Sequence, residues 1–196
     1  MPDKQLSDLI GGFLQRVRHR GVPRHVREVA KEHILDGFAT MLSGVPDEAS
    51  LLIREHMAGI GGRREARVVG TALRVPCQLA ALANGVQGHV LDYDDAQLTT
   101  VPGRPFGQQV HPTTPVLAAA LALAEKTRAS GSELLAAYAA GVEVACRFGE
   151  AVEPNHYING FHPTGTLGVF GATAASAYLL RLDREHIAWA LGIAGG

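Results

Sequence analysis

Residues 130–148 read SGSELLAAYAAGVEVACRF, and the way this stretch opens and repeats decides the fold class. Ser130 and Glu133 stand at the spacing of a capping box, in which each side chain satisfies the other's free backbone amide, so a helix is expected to start here. Leu134, Leu135, Tyr138, Val142, Ala145 and Phe148 then return at helical spacing. So apolar a helix has to be buried centrally or covered by a partner. Its neighbours in sequence are of the same kind. Upstream, Pro112 and Pro115 start an Ala- and Leu-rich helix that runs to about Thr127. Downstream, an Ala- and Gly-rich helix continues through Leu180, with Gly165, Gly168 and Gly171 at every third position, where a second helix backbone is expected to approach closely. Asp183 caps a last helix that reaches Gly195-Gly196.

The first half is amphipathic. Leu6, Leu9, Ile10, Phe13, Leu14 and Val17 form one helical face, with Arg16, Arg18 and Arg20 opposite. Gly21 ends that helix, and Pro23 opens a second, whose stripe of Val26, Ala30, Ile34, Phe38 and Met41 stops at Gly44. A third is expected from Asp47 to about Ala58. Around residues 66–75 the pattern changes to two very short strands or a hairpin, and Pro76 then starts a helix through Ala80, Leu82, Ala83 and Val86 toward Leu91. The expectation is an all-α, multi-helix bundle of about eight helices, with at most one short β-hairpin.

With 196 residues the chain can bury a sizeable core. Its formal charge of -1 and lack of a Lys/Arg run exclude a nucleic-acid footprint. Glu125, Glu143 and Arg147 interrupt the most apolar third, so no membrane span is expected, and Met1-Pro2-Asp3-Lys4-Gln5 lacks the apolar core of a secretion signal. A cytoplasmic location follows as an expectation. Cys77 and Cys146, far apart among apolar residues, read as inert buried thiols.

Chemistry concentrates between His89 and Thr113. His89-Val90-Leu91-Asp92-Tyr93-Asp94-Asp95 falls at the end of a helix, where the negative pole of its dipole disfavours three ionised carboxylates. At least one carboxyl should therefore have a raised pKa if the cluster is buried. A loop of about fifteen residues without periodicity leads on to His111-Pro112-Thr113. A second triplet, His162-Pro163-Thr164, repeats the pattern. With Pro at the first helical position, His111 and His162 fall near N-caps, where neutral imidazole or a bound carboxylate is favoured. Two such entrances beside an acidic cluster make a pocket for a small polyanionic acid undergoing proton transfer. The competing reading makes both histidines simple helix caps. His89, three residues before Asp92, reads as a hydrogen-bond partner on the same helical side, and His19, His25, His33, His56 and His186 read as surface residues. Two carboxylates and a carbonyl could also hold a hard divalent ion, but no further acidic group lies at matching spacing near either triplet, so no metal is expected.

The ordered set Asn84-Gly85, His89 to Asp95, His111-Pro112, Gly131 to Leu135, Gly141-Val142-Glu143, Phe161 to Thr166 and Ala190 to Gly195 resembles the MmgE/PrpD family, which includes 2-methylcitrate dehydratase, cis-aconitate decarboxylase and an iminodisuccinate epimerase. The resemblance covers nearly the whole chain. It implies that residues 1–196 form the family's N-terminal helical domain, and that the enzyme acts on a small di- or tricarboxylate without cofactor or metal, as a homodimer. By the same resemblance Asp92, His111 and His162 belong to the active-site pocket and are the catalytic candidates; beside them, Asp95, Thr99, Arg104 and Thr164 are candidates for binding substrate. Ala96 stands where the family usually has a hydroxyl residue, and the loop to His111 is longer than in the decarboxylase branch. The family's lysines, tyrosine and lid domain lie beyond the last residue here. A dehydratase-like lyase is the leading expectation. A catalytically silent helical domain acting only in association, or an epimerase, is the alternative.

Overall fold

The computed structural model describes residues 5–98, 108–152 and 155–196. Among these residues the chain forms nine helices: α1 (Leu6–Arg20), α2 (Arg24–Ser43), α3 (Glu48–Ile60), α4 (Cys77–His89), α5 (Thr113–Thr127), α6 (Gly131–Val152), α7 (Asn155–Ile158), α8 (Pro163–Leu179) and α9 (Arg184–Ala194). The all-α expectation holds, and the entrances are built as the residues dictate. Asp47 accepts the Ala49 amide at 2.9 Å, Asp183 accepts that of His186 at 2.9 Å, and the Ser130 amide donates to Glu133 at 2.9 Å. These caps satisfy amides that have no partner inside the helix.

The central element is α5. Val116, Leu117, Ala118, Ala120, Ala122 and Leu123 are buried on every side of it, against Ala30 and Met41 of α2, Ala137 and Tyr138 of α6, and Ala175 of α8. A second core joins Ile10 and Leu14 of α1 to Ala140, Val144, Ala174, Ile187 and Leu191. A third packs the expected hairpin, β1 (Ala66–Arg67) antiparallel to β2 (Arg74–Val75), on α3 and α4. The fully buried Asn84 fastens this hairpin, accepting the Val69 amide at 2.9 Å and donating to the Arg67 carbonyl at 3.1 Å. Burying an amide side chain is costly unless both ends are bonded, and here both are.

One expectation fails. A second antiparallel pair, β3 (Gln97–Leu98) with β4 (Gln108–Val110), precedes His111, so the limit of one hairpin is too low. Gln97-Leu98 and Gln108-Gln109-Val110 hold no β-branched run around a Gly turn such as Val68-Val69-Gly70 offers, so nothing local marks them as strands. The glycine stripe of α8 is used at two of its three positions. A Cβ on Gly171 would lie 2.7 Å from the Gly141 carbonyl oxygen of α6, and one on Gly168 2.7 Å from Pro115, whereas Gly165 has open space. Gly171→Ala is therefore expected to lose about 1–3 kcal/mol in urea unfolding, because backbone cannot rotate away from the added methyl. Gly165→Ala is the control and should cost nothing comparable.

Candidate active site

The last turn of α4 places His89, and the chain then turns sharply. Asp92 adopts a left-handed conformation, φ 54°, which Asp tolerates better than most residues, and its amide donates back to the His89 carbonyl at 2.9 Å. This turn separates the carboxylates. Asp92 remains 80% exposed, while Asp94 swings under His89 and is almost fully buried. His89 therefore pairs with Asp94, Nδ1 to Oδ1 at 2.9 Å, rather than with Asp92 as helical spacing suggested. The helix ends at His89 and the spacing rule ends with it.

Asp94 also accepts the Thr114 hydroxyl at 2.6 Å. Burial pushes its carboxyl up, but the bonds from His89 and Thr114 outweigh this and hold it below the usual range. The Asp94 bond in turn raises His89 above the ordinary imidazole value of 6.5, against a smaller opposing effect of burial. His89 thus keeps its proton to higher pH than an ordinary imidazole does.

His111 arrives from β4. The N-cap of α5 is Pro112, not His111, so the expected capping role is corrected. Its ring is turned instead toward the acidic turn, with Nδ1 3.2 Å from the Asp94 carbonyl oxygen and Nε2 3.7 Å from the Asp92 carboxylate. Its amide donates to the Thr164 hydroxyl at 3.1 Å, tying the start of α5 to the start of α8. His162 does occupy the N-cap of α8, accepting the Gly165 amide at 3.3 Å, with Pro163 in the first turn. The three rings then meet edge to face. The His89 centroid lies 5.0 Å from that of His111 and 5.6 Å from that of His162.

The sequence-predicted catalytic residues Asp92, His111 and His162 are thus grouped around His89, which sequence reasoning had assigned a supporting part. His89, His162 and Thr164 line a cavity of about 790 Å³ whose floor and walls are Leu82, Val86, Pro115 and Val169. Asp95 is elsewhere. Both its oxygens bond Thr113, and it lines a different cavity with His33, Tyr138 and Cys146. Burial raises the Asp95 carboxyl in spite of those bonds, which meets the expectation of one raised carboxyl in the cluster. Thr99 and Arg104 lie outside the described residues. Burial also raises both thiols, Cys146 to about 12, as expected of unreactive cysteines.

His89, Asp92, Asp94 and His111 offer ligand-type atoms within 4.8 Å of one another, a donor set for a divalent ion that sequence spacing did not foresee. The buried Asp94 oxygens are engaged by His89 and Thr114, so an ion would have to displace a short ion pair. The arrangement suits proton transfer more directly: one imidazole fixed by a buried carboxylate, one between two carboxylates, and a third at a helix N-terminus.

Among the described residues the chain is a helical domain that brings three imidazoles and two carboxylates together where α4 ends and where α5 and α8 begin. The sequence matches the MmgE/PrpD N-terminal domain over residues 8–196, and the chain belongs to the MmgE/PrpD family. It is similar to the cis-aconitate decarboxylase of Homo sapiens, 30% identical over 171 residues, covering 84% of this chain and 34% of that protein. It is also 26% identical over 202 residues to that of Mus musculus, covering 98% of this chain and 40% of that one. The chain thus spans between about a third and two fifths of the length of these relatives. Among the described residues no helix is long and apolar enough to cross a membrane.

Proposed function

We propose that this chain carries half of the acid/base machinery of a cofactor-independent lyase for a small di- or tricarboxylate. The observation that supports it is the meeting of the His111 and His162 rings at His89, with the Asp94 and Asp92 carboxylates against His89 and His111, and with His89 and His162 lining one cavity. In the dehydratase-like reading, a neutral imidazole, His111 or His162, removes the proton beside a substrate carboxylate, and the electron pair forms the double bond as the β-hydroxyl departs. The His89 imidazolium, held by Asp94, gives that hydroxyl its proton, so water leaves and no charge is lost. Asp92 orients the substrate at the exposed end. Decarboxylation is the second reading, favoured by the names of the relatives; there the pair released with CO₂ is quenched by the same imidazolium.

Both readings require cations for the remaining substrate carboxylates. Among the described residues lining the cavity there is no Lys or Arg. His89 and the N-terminus of α8 supply part of the positive potential, and Arg104 is the candidate the sequence offers for a carboxylate clamp. The homodimer implied by family resemblance belongs to the same proposal, and would cover exposed apolar side chains such as Leu35, Trp189 and Ile193. The test is incubation of the full-length product of this coding region with 2-methylcitrate, cis-aconitate and iminodisuccinate separately. Loss of water from the first supports the dehydratase-like reading, CO₂ from the second the decarboxylase, and inversion of the third an epimerase. Turnover of none rejects the enzymatic reading.

A further inference from the structure

Helix α5 lacks a cap where a helix normally carries one. Its N-cap, Pro112, has no side chain able to accept a hydrogen bond. The acceptor comes instead from a residue far back in the chain. Asp95 Oδ1 accepts the Thr113 amide at 3.1 Å, and Oδ2 accepts the Thr113 hydroxyl at 2.7 Å. Next to it Asp94 accepts the Thr114 hydroxyl at 2.6 Å. Two consecutive aspartates thus cross-pair with two consecutive threonines, and the β3–β4 pairing of Gln97 with Val110 continues the same antiparallel line.

His111 is the residue between the strand pair and this clamp. With Val110 held by β3 and Thr113 held by Asp95, only His111 and Pro112 bridge the two fixed points, and Pro112 has its φ locked by its ring. The His111 ring direction is then set by the clamp as much as by its own bond to the Asp94 carbonyl. We propose that Asp95 is a positioning residue: through Thr113 it fixes the entry of α5 and so holds the His111 ring against His89 and Asp92. The side chains facing Asp95 fit that duty. His33 of α2 approaches Oδ2 at 3.3 Å, and the Tyr138 hydroxyl of α6 bonds the same Thr113 hydroxyl, so three helices are locked at one carboxylate.

Calling His111 functional rests on the reading above, but the positional claim does not, and its test reads no turnover. In the ¹⁵N,¹³C-labelled chain, ring-to-ring NOEs between His89 and His111 report the arrangement directly. Thr113→Val and Asp95→Ala are expected to abolish these NOEs and move the His111 ring ¹⁵N shifts, with the helical circular dichroism retained. Thr113→Ser, which keeps both donors, is expected to restore them. Should Asp95→Ala not fold, the two Thr113 variants decide the matter. Unchanged NOEs and ring shifts in Thr113→Val, or loss of them in Thr113→Ser as well, overturn the proposal and leave Asp95 a helix cap alone.

Discussion

Asp92→Asn, His111→Ala and His162→Ala, each made in the full-length product, are expected to lower turnover by at least about 10², the usual contribution of a positioned acid or base. The three losses should differ in kind. Asp92 is 80% exposed and touches the cluster only at 3.7 Å, so its carboxylate has room to meet substrate, and its loss should weaken binding as well as turnover. His111 is buried, with its ring bonded to the Asp94 backbone, so its replacement removes a fixed proton acceptor and should act on kcat. A steady-state comparison of kcat and KM on whichever acid is turned over checks this. Rates within a factor of about 3 of the unmodified protein would remove these residues from the chemistry.

The second large effect is on stability. Asp94→Asn leaves the half-buried His89 ring without its counter-charge, and the Thr114 hydroxyl with a weaker acceptor in a buried position. Removing one member of such a pair costs about 2–4 kcal/mol. The dependence on pH follows from the two shifts. Asp94 is lowered, so its contribution is present above its ordinary value of 3.8 and is lost as pH falls through the lower folded value. His89 is raised, so its contribution is complete below 6.5 and is lost as pH rises through the higher folded value. Thermal unfolding at a series of pH values should therefore show the largest penalty for Asp94→Asn between about pH 4 and 6.5, shrinking on the alkaline side. A penalty independent of pH would mean that Asp94 acts through packing.

The local grammar of the helices was legible because it depends on neighbours in sequence. The caps at Ser130 and Asp183, the start of α3 beside Asp47, the prolines at 76 and 163, and the central burial of α5 follow from spacing alone. The candidate site was legible as a set of residues but not as a geometry. His89 was matched to Asp92 by helical periodicity, yet the left-handed turn at Asp92 hands that partner to Asp94. Asp95 was grouped with its neighbours as a substrate ligand, although successive side chains in an extended segment diverge, and its carboxylate faces Thr113 and His33 instead. His33, read as a plain surface residue, meets Asp95 only because α2 packs against α6. The β3–β4 pair left no trace because its residues are mostly Gln, without the valines and the glycine turn that marked β1–β2 at the same length.

The central claim is that the imidazoles of His89, His111 and His162 share one ligand. Titrating cis-aconitate into the ¹⁵N-labelled chain, and following the ring nitrogens of all nine histidines, tests it most directly. The expected result is that these three shift together along one saturation curve while His19, His25, His56 and His186 stay still. Shifts spread evenly over the exposed histidines, or separate curves for His111 and His162, would contradict it.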